Sequence, residues 1–262
     1  MAFFTSLYSG SSGNCSVVRC GDEYLLIDMG KSCRVTLNAL KALGLSVSGM
    51  KGLLVTHEHS DHIAGLNVFL KHYSVPVYGS AATLDHLDGL GVTPPGAELI
   101  AIEGRCEPVG GFLVSAFPTS HDVPCCGFRI TAPDGSVMAI ATDLGCLTDP
   151  VHTALSGADL VALEANYDLH SLRYGSYPYY LKRRIESPRG HLDNNECAAK
   201  ILELVQQGCK KFALCHLSKE NNTPDLALGA VRSALVAAGV TPGPGVRVQA
   251  QKRAEPSDWM EF

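Results

Sequence analysis

Three histidines and two carboxylates occupy six consecutive positions in the segment V-T-H-E-H-S-D-H, residues 55–62. A short apolar run precedes the segment and a helical pattern follows it, so we predict a strand end leading into a helix. His57 and His59 are two positions apart and share one side of an extended backbone. Asp61 and His62 fall in the first helical turn and can face a second point. Imidazole and carboxylate ligands suit zinc, manganese or iron, so the segment predicts two adjacent metal ions.

The pattern of an apolar run followed by a ligand-type residue occurs three more times. His121 follows F-L-V-S-A-F, Asp143 follows S-V-M-A-I-A-T, and His216 follows K-F-A-L-C. Taken alone, His121 or His216 could be a hydrogen-bonded core histidine, but the repetition favours one shared site. The predicted metal ligands are His57, His59, Asp61, His62, His121, Asp143 and His216. The histidines that lack this context are predicted to lie on the surface: His72, His86, His152 and His170.

Strand and helix patterns alternate along the chain without a break in composition. Strands are predicted at 23–30, 51–56, 75–80, 98–102, 111–121, 126–143 (with a hairpin turn at P-D-G-S), 158–166, 211–218 and 246–251, and helices at 32–44, 61–73, 194–208 and 224–239. The 262 residues are 46% hydrophobic, enough for one large core. We predict one domain, residues 1–262, of the α+β class, with two packed sheets and helices outside.

Composition limits the classes of partner and compartment. The net charge of −5 shows no global basic surface, so a nucleic acid would have to bind a local patch. The N-terminus lacks the pattern of a signal peptide and no apolar run is long enough to span a membrane, so we expect a soluble, cytoplasmic protein. The ten cysteines contain no C-x-x-C pair and are expected to be free thiols. Whether Cys125 and Cys126 matter to the site is left open.

The motif H-E-H-S-D-H, followed by a lone His, an Asp and a final His at strand ends, resembles the metallo-β-lactamase superfamily. The resemblance covers essentially the whole chain and implies an αββα sandwich with a two-metal site at its edge. It assigns one metal to His57, His59 and His121, the other to Asp61, His62 and His216, with Asp143 between them. Two such cations acidify a bridging water, which supplies a hydroxide nucleophile that Asp61 is placed to orient.

The segments L-E-A-N-Y-D (163–168) and R-G-H-L-D-N-N (189–195) resemble those of tRNA-processing phosphodiesterases in the superfamily. This resemblance implies that Glu164 orients His191 and that His191 protonates the leaving oxygen as a general acid. The alternative is that His191 is a loop residue before the capped start of a helix.

Three further segments suit a phosphate-bearing substrate. The loop S-G-S-S-G-N (9–14) can bring backbone N–H groups close to a phosphate, although a simple hairpin turn explains it equally well. The stretch 177–190 combines Lys182, Arg183, Arg184 and Arg189 with tyrosines, which suits a nucleic-acid strand or, alternatively, a solvated helix face. H-L-S-K-E-N-N (216–222) follows the last predicted ligand. The predicted substrate-binding residues are Ser11, Ser12, Asn14, Arg183, Arg184, Lys219 and Asn221.

Together, S-G-S-S-G-N, G-H-L-D-N-N and H-L-S-K-E-N-N look like the YycJ/WalJ-like branch of the superfamily. That resemblance implies a DNA exonuclease, 5′ to 3′, acting on DNA ends with two divalent metal ions, which would be Zn, Mn or Fe. Only 72 residues separate Asp143 from His216, too few for the domain inserted in RNase J-like enzymes, so a partner protein could load the substrate. Two alternatives stay open: a thioesterase or small-molecule phosphodiesterase resembling hydroxyacylglutathione hydrolase, and a non-catalytic metal-binding regulator.

Overall fold

A computed structural model describes residues 1–241, 243 and 245–262. The first sheet is built from β1 (Ala2–Tyr8), β2 (Cys15–Cys20), β3 (Glu23–Ile27), β4 (Met50–Leu54), β5 (Val77–Gly79), β6 (Leu99–Ala101) and β14 (Met260–Glu261). Within the described residues its strand order is β14-β1-β2-β3-β4-β5-β6. Pairing is antiparallel from β14 to β3 and parallel from β3 to β6. The sheet is therefore mixed, with its parallel half on the β6 side.

The second sheet repeats this arrangement with later segments. It contains β7 (Glu107–Val109), β8 (Phe112–Thr119), β9 (Cys125–Thr131), β10 (Val137–Ala141), β11 (Leu160–Glu164), β12 (Lys211–Cys215) and β13 (Arg247–Ala250). Its order is β13-β12-β11-β10-β9-β8-β7. The pairs from β13 to β10 are parallel and those from β10 to β7 are antiparallel. Ligand-type residues that follow parallel strands therefore meet at one edge, where the strands' carboxyl ends lie.

Helices cover the outer faces of both sheets. They are α1 (Cys33–Ala42), α2 (Ser60–Ile63), α3 (Leu66–Leu70), α4 (Ala81–Gly89), α5 (Asp149–Leu155), α6 (Leu169–Tyr174), α7 (Tyr179–Ile185), α8 (Asn194–Gln206) and α9 (Pro224–Ala237). Leu40, Phe69 and Leu84 from α1, α3 and α4 pack on the first sheet. Leu155, Ile201 and Val231 from α5, α8 and α9 pack on the second. No helix in the described part of the chain is long and apolar enough to cross a bilayer.

A third apolar layer fills the space between the two sheets. Phe4 and Leu54 of the first sheet belong to the same buried cluster as Phe128, Ile140 and Ala213 of the second. Successive side chains of a strand point to opposite faces of the sheet. Each sheet is covered on both faces, so one face packs against the helices and the other supplies this layer. The predicted αββα sandwich is thereby confirmed.

The prediction of one continuous helix over 61–73 is wrong. The chain forms two short helices, α2 and α3, which are separated at Ala64 and Gly65. Gly65 donates its backbone N–H to Met29 O, and a Cβ at this position would lie 2.2 Å from Lys31 O. The close approach of the 29–31 loop therefore fixes the break, and only glycine fits there. The sequence does not predict the helices α4, α5 and α6, and it offers α7 only as the alternative of a solvated helix within 177–190.

Candidate metal centre and cleft

The segment that follows β4 brings its three histidines close together. His57 and His62 are buried, with their ring centroids 4.1 Å apart, and the His59 ring stands 4.6 Å from that of His57. Asp61 lies in the first turn of α2, for which His59 is the N-cap. The change from strand to helix therefore turns Asp61 and His62 toward a different point from His59.

Loops from both sheets bring the predicted ligands together. Four groups have ligand atoms within 4.8 Å of one another: His57 with His59 and His121; Asp61 with His62 and His216; His57 with His62 and Asp143; and Asp143 with Glu164, His191 and His216. Asp143 Oδ2 lies 3.4 Å from His62 Nε2, and Asp143 Oδ1 lies 4.0 Å from His121 Nε2. The Asp143 carboxylate therefore lies between two triads, one of His57, His59 and His121 and the other of Asp61, His62 and His216.

Buried atoms without hydrogen bonds show that this cluster suits a metal. Within the described residues, His57 Nε2, His216 Nε2 and Asp143 Oδ2 are buried and have no hydrogen-bond partner. Buried polar atoms are normally paired, and leaving one unpaired costs about 1–3 kcal/mol. Three buried, unpaired atoms of the kinds that bind divalent cations, all within this cluster, fit a metal site.

The other ring nitrogen of each buried histidine is held by a partner. His62 Nδ1 lies 2.8 Å from Asp28 Oδ2, and His216 Nδ1 lies 2.7 Å from Glu164 Oε1. His121 Nδ1 lies 3.1 Å from Gly190 O. His57 Nδ1 is 3.0 Å from the hydroxyl of Thr56, which itself donates to Asp28. Such partners fix the tautomer and leave Nε2 as the atom that can bind a metal, although Asn14 Nδ2 lies 3.0 Å from that atom in His62.

Local backbone strain is concentrated at this site. Among the described residues, the non-glycine residues with positive φ are Asp28 (61°), Asp143 (58°) and His216 (55°). Each immediately follows a strand or stands one residue beyond it, and each has its carboxylate or imidazole in the cluster or bonded to it. A left-handed conformation at a non-glycine residue costs about 1–3 kcal/mol, and it persists where surrounding contacts require it.

Neighbouring charges shift the pKa values of the cluster in opposite directions. Burial opposes a charge on His62, but the carboxylates of Asp143 and Asp28 outweigh it and raise the pKa to about 9. His216 is likewise buried, and Asp143, Asp61 and Glu164 raise its pKa well above the usual value. Burial, reinforced by repulsion from His62, holds the pKa of His57 well below its usual value. A cation must therefore displace protons from His62 and His216 when it binds.

His191 and Glu164 form a pair beside the cluster. Glu164 is fully buried and accepts hydrogen bonds from the backbone N–H groups of Leu144 and Leu192, each at 3.1 Å. Its Oε1 is 2.9 Å from His191 Nδ1. Burial opposes ionisation of Glu164, but His191 and His216 outweigh it and lower the pKa. The side chain of His191 remains 22% exposed, so the ring reaches solvent with Nε2 unengaged by Glu164.

A cleft of about 180 Å³ opens beside His121 and His191. Its other lining residues come from four separate parts of the chain: Ser11, Asn166, Tyr177, Leu181, Arg184, Ile185, Arg189, Gly190 and Ser218. Arg189 stabilises the lining of the cleft, because its Nε donates a hydrogen bond to His121 O at 2.9 Å. Arg184 pairs with Asp122 through Nη2. The cleft thus places a cation and an aromatic ring next to the predicted metal ligands.

The predicted substrate-binding residues divide between the cleft and other places. Ser11 and Arg184 line the cleft, whereas Arg183 lines a separate polar cavity beside Cys146 and Asp193. Adjacent helical residues point about 100° apart, which explains the separation of the two arginines. Lys182 donates to the carbonyls of Arg173 and Gly175 and so closes the end of α6.

The other predicted substrate-binding residues do not line the cleft. Asn14 is buried, with Nδ2 3.0 Å from His62 Nε2 and 3.2 Å from Asp61 Oδ2, so it contacts predicted metal ligands. Asn221 is 1% exposed, which leaves its side chain unavailable to a substrate. Ser12 is exposed, and Lys219 is exposed beside Glu220.

Three functional candidates escaped the prediction. Asp28 follows the strand β3 just as Asp143 follows β10, so the same strand-end rule applied to residues 23–30 would have found it. Asp122 directly follows His121 and touches two of the histidines. Arg253, near the far end of the chain, donates to Ser218 O at 3.1 Å and so holds a residue that lines the cleft. No local sequence signal marks Arg253.

Comparison with known proteins identifies relatives of this chain. The profile of the Beta-lactamase superfamily domain matches residues 23–216. The chain is 35% identical to exodeoxyribonuclease YycJ of Bacillus anthracis over 233 residues, 88% of each protein. It is 33% identical to exodeoxyribonuclease WalJ of Streptococcus pneumoniae, covering 86% of this chain and 84% of that protein. The crystal structure of the metallo-β-lactamase fold protein YhfI from Bacillus subtilis superposes with a TM-score of 0.72 at 20% identity, covering 98% of both chains.

Proposed function

This chain belongs to the metallo-β-lactamase fold superfamily, in its YycJ/WalJ branch, and from that premise we propose that it is an exodeoxyribonuclease acting on DNA ends. The similarity to two exodeoxyribonucleases over more than four-fifths of the chain supports this substrate. We further propose the 5′ to 3′ direction and a cytoplasmic location. Because the cleft is small and few cations line it, we also propose a partner protein that loads the DNA.

The residues proposed to hold divalent metal are those of the two triads and Asp143. One ion would take His57, His59 and His121, and the other Asp61, His62 and His216, with Asp143 shared. Zinc or manganese, or iron, suits this set of imidazoles and carboxylates. Divalent cations in such a site acidify water and polarise a phosphodiester group.

The observation that carries the proposed reaction is the His191–Glu164 pair at the cleft. An alkoxide that leaves a phosphodiester needs a proton, whereas a thiolate, with a thiol pKa near 8.5, leaves without one. A histidine held by a buried carboxylate beside the metal ligands is a general acid suited to the alkoxide. No specific feature of the cleft favours the thioesterase or the non-catalytic regulator.

Side chains of this chain account for substrate placement. Protonated His191 would donate a proton to the leaving 3′ oxygen, which leaves the imidazole neutral, and would then take up a new proton from solvent. Arg184 would contact a phosphate, and Tyr177 offers a face on which a base can stack. Ser11, from the 9–14 loop, lines the same cleft and would hydrogen-bond the same phosphate.

End-labelled DNA and RNA, each single- and double-stranded, test the proposal. The protein is incubated with each substrate after loading with Zn²⁺ or Mn²⁺, and metal content is measured on the same preparation. We expect mononucleotides released from one DNA end, and no release by Asp61→Ala. Cleavage of RNA in preference to DNA, or internal cuts, would contradict the proposed substrate.

A further inference from the structure

Asp122 lies where the metal cluster meets the cleft. Its Oδ1 atom is buried and makes no hydrogen bond within the described residues. That atom is 3.5 Å from His59 Nε2 and 3.2 Å from His121 Nε2. The other oxygen, Oδ2, accepts a hydrogen bond from Arg184. Burying a carboxylate oxygen without a hydrogen bond costs free energy, so we expect Oδ1 to accept a hydrogen bond from one of the two imidazoles that face it.

Only one of these imidazoles can donate to Asp122. His121 directs Nδ1 at the carbonyl of Gly190, which places its proton on Nδ1 and leaves Nε2 as a lone pair. His59 has no bond that holds its proton on Nδ1 in the described part of the chain. The proton of His59 can therefore sit on Nε2, facing Asp122.

His59 differs in this way from the four buried histidines. His57, His62, His121 and His216 are each held through Nδ1 and keep Nε2 for the metal cluster. His59 contacts a carboxylate through Nε2, so its Nδ1 is the atom left for the cluster. It is also the most exposed of the five, with 31% of its side chain accessible, and it therefore depends most on a partner to fix its ring.

We propose that Asp122 is the positioning residue of His59: its Oδ1 accepts a hydrogen bond from His59 Nε2–H and so presents His59 Nδ1 to the other predicted metal ligands, while Arg184 donates to the second carboxylate oxygen. Helix α7, which carries Arg184, is thereby tied to the metal site. The inference rests on the metal-binding part of the proposed function and is independent of the identity of the substrate.

Titration of the chelator-treated protein with Co²⁺, followed by visible absorption and calorimetry, tests this role. Asp122→Asn should weaken the binding of one Co²⁺ ion about 10- to 100-fold, the usual effect of removing a carboxylate behind a ligating histidine. Its absorption bands should change, whereas the second ion binds as in the wild type. Arg184→Ala should weaken the binding of the same Co²⁺ ion several-fold. Asp122→Glu should retain part of the affinity that Asp122→Asn loses.

Asp225→Asn and Arg232→Ala are the matched controls, because both residues are exposed on α9 and carry the same charges. Both should bind Co²⁺ like the wild type. Wild-type affinity in Asp122→Asn would overturn the proposal, as would an equal loss of both ions. If Asp122→Asn does not fold, Arg184→Ala decides, and unchanged Co²⁺ binding there overturns the proposal. A wild-type protein that binds Co²⁺ but leaves DNA intact would contradict the nuclease, not the role of Asp122.

Discussion

At the scale of single residues, the site is a set of ligand-type atoms held by precise partners. Glu164 shows this most clearly, because one buried carboxylate contacts His191, His216 and two backbone N–H groups. The sequence predicted both Glu164 and His191 through a resemblance of segments. That Glu164 also holds His216 could not be predicted, since the two residues are 52 positions apart and meet only through the pairing of β11 with β12.

Replacing His191 with alanine should separate proton transfer from metal binding. We expect the rate of DNA cleavage to fall about 10²- to 10⁴-fold, the usual contribution of a general acid, because the leaving oxygen loses its proton donor. Metal content, measured by elemental analysis, should equal that of the wild type. Loss of metal in His191→Ala would instead identify His191 as a ligand.

At the scale of elements, the basic stretch does not act as one surface. Helix α7 directs Arg184 into the cleft and Arg183 into another cavity, and Lys182 closes the end of α6. Composition predicted a cationic segment correctly. It could not tell which cation faces the site, because that depends on how α7 is rotated against the segment 187–191.

Arg184→Ala and Arg183→Ala provide a matched pair on this helix. With a short single-stranded oligonucleotide, Arg184→Ala should raise KM about tenfold and lower the slope of log affinity against log salt by about 1, as expected for one lost phosphate contact. Arg183→Ala should have much smaller effects on both quantities. Steady-state kinetics over a range of salt concentrations measure them, and equal effects from the two variants would contradict the assignment of Arg184 to the cleft.

At the scale of the whole molecule, the metal cluster joins the two sheets. His57, His59, Asp61 and His62 follow a strand of the first sheet, whereas His121, Asp143 and His216 follow strands of the second. The apolar layer between the sheets brings these loops to the same edge. A cation bound there would cross-link the halves and stabilise the folded state only, because the unfolded chain has no such cluster.

Metal removal should therefore lower the melting temperature. At a free metal concentration of 100 times Kd, binding contributes about 2.7 kcal/mol. That corresponds to a shift of about 5–10 °C for a chain of this size. Because His62, with its pKa raised to about 9, must lose a proton, the shift should be larger at pH 8 than at pH 6. Scanning calorimetry with and without chelator measures it, and a shift retained in Asp143→Asn would contradict the assignment of the site.

The sequence by itself determined the class of fold and the candidate metal ligands. It could do so because the pattern is local: an apolar strand followed at once by His57, His121, Asp143 or His216 needs no knowledge of distant contacts. Only the tertiary structure decided which side chains support those ligands. Asp122 is recognised from its contacts with His59 and Arg184, and Asn221 is withdrawn from the substrate by burial. The physical reason is that support and burial depend on how distant segments pack, which no single stretch of sequence specifies.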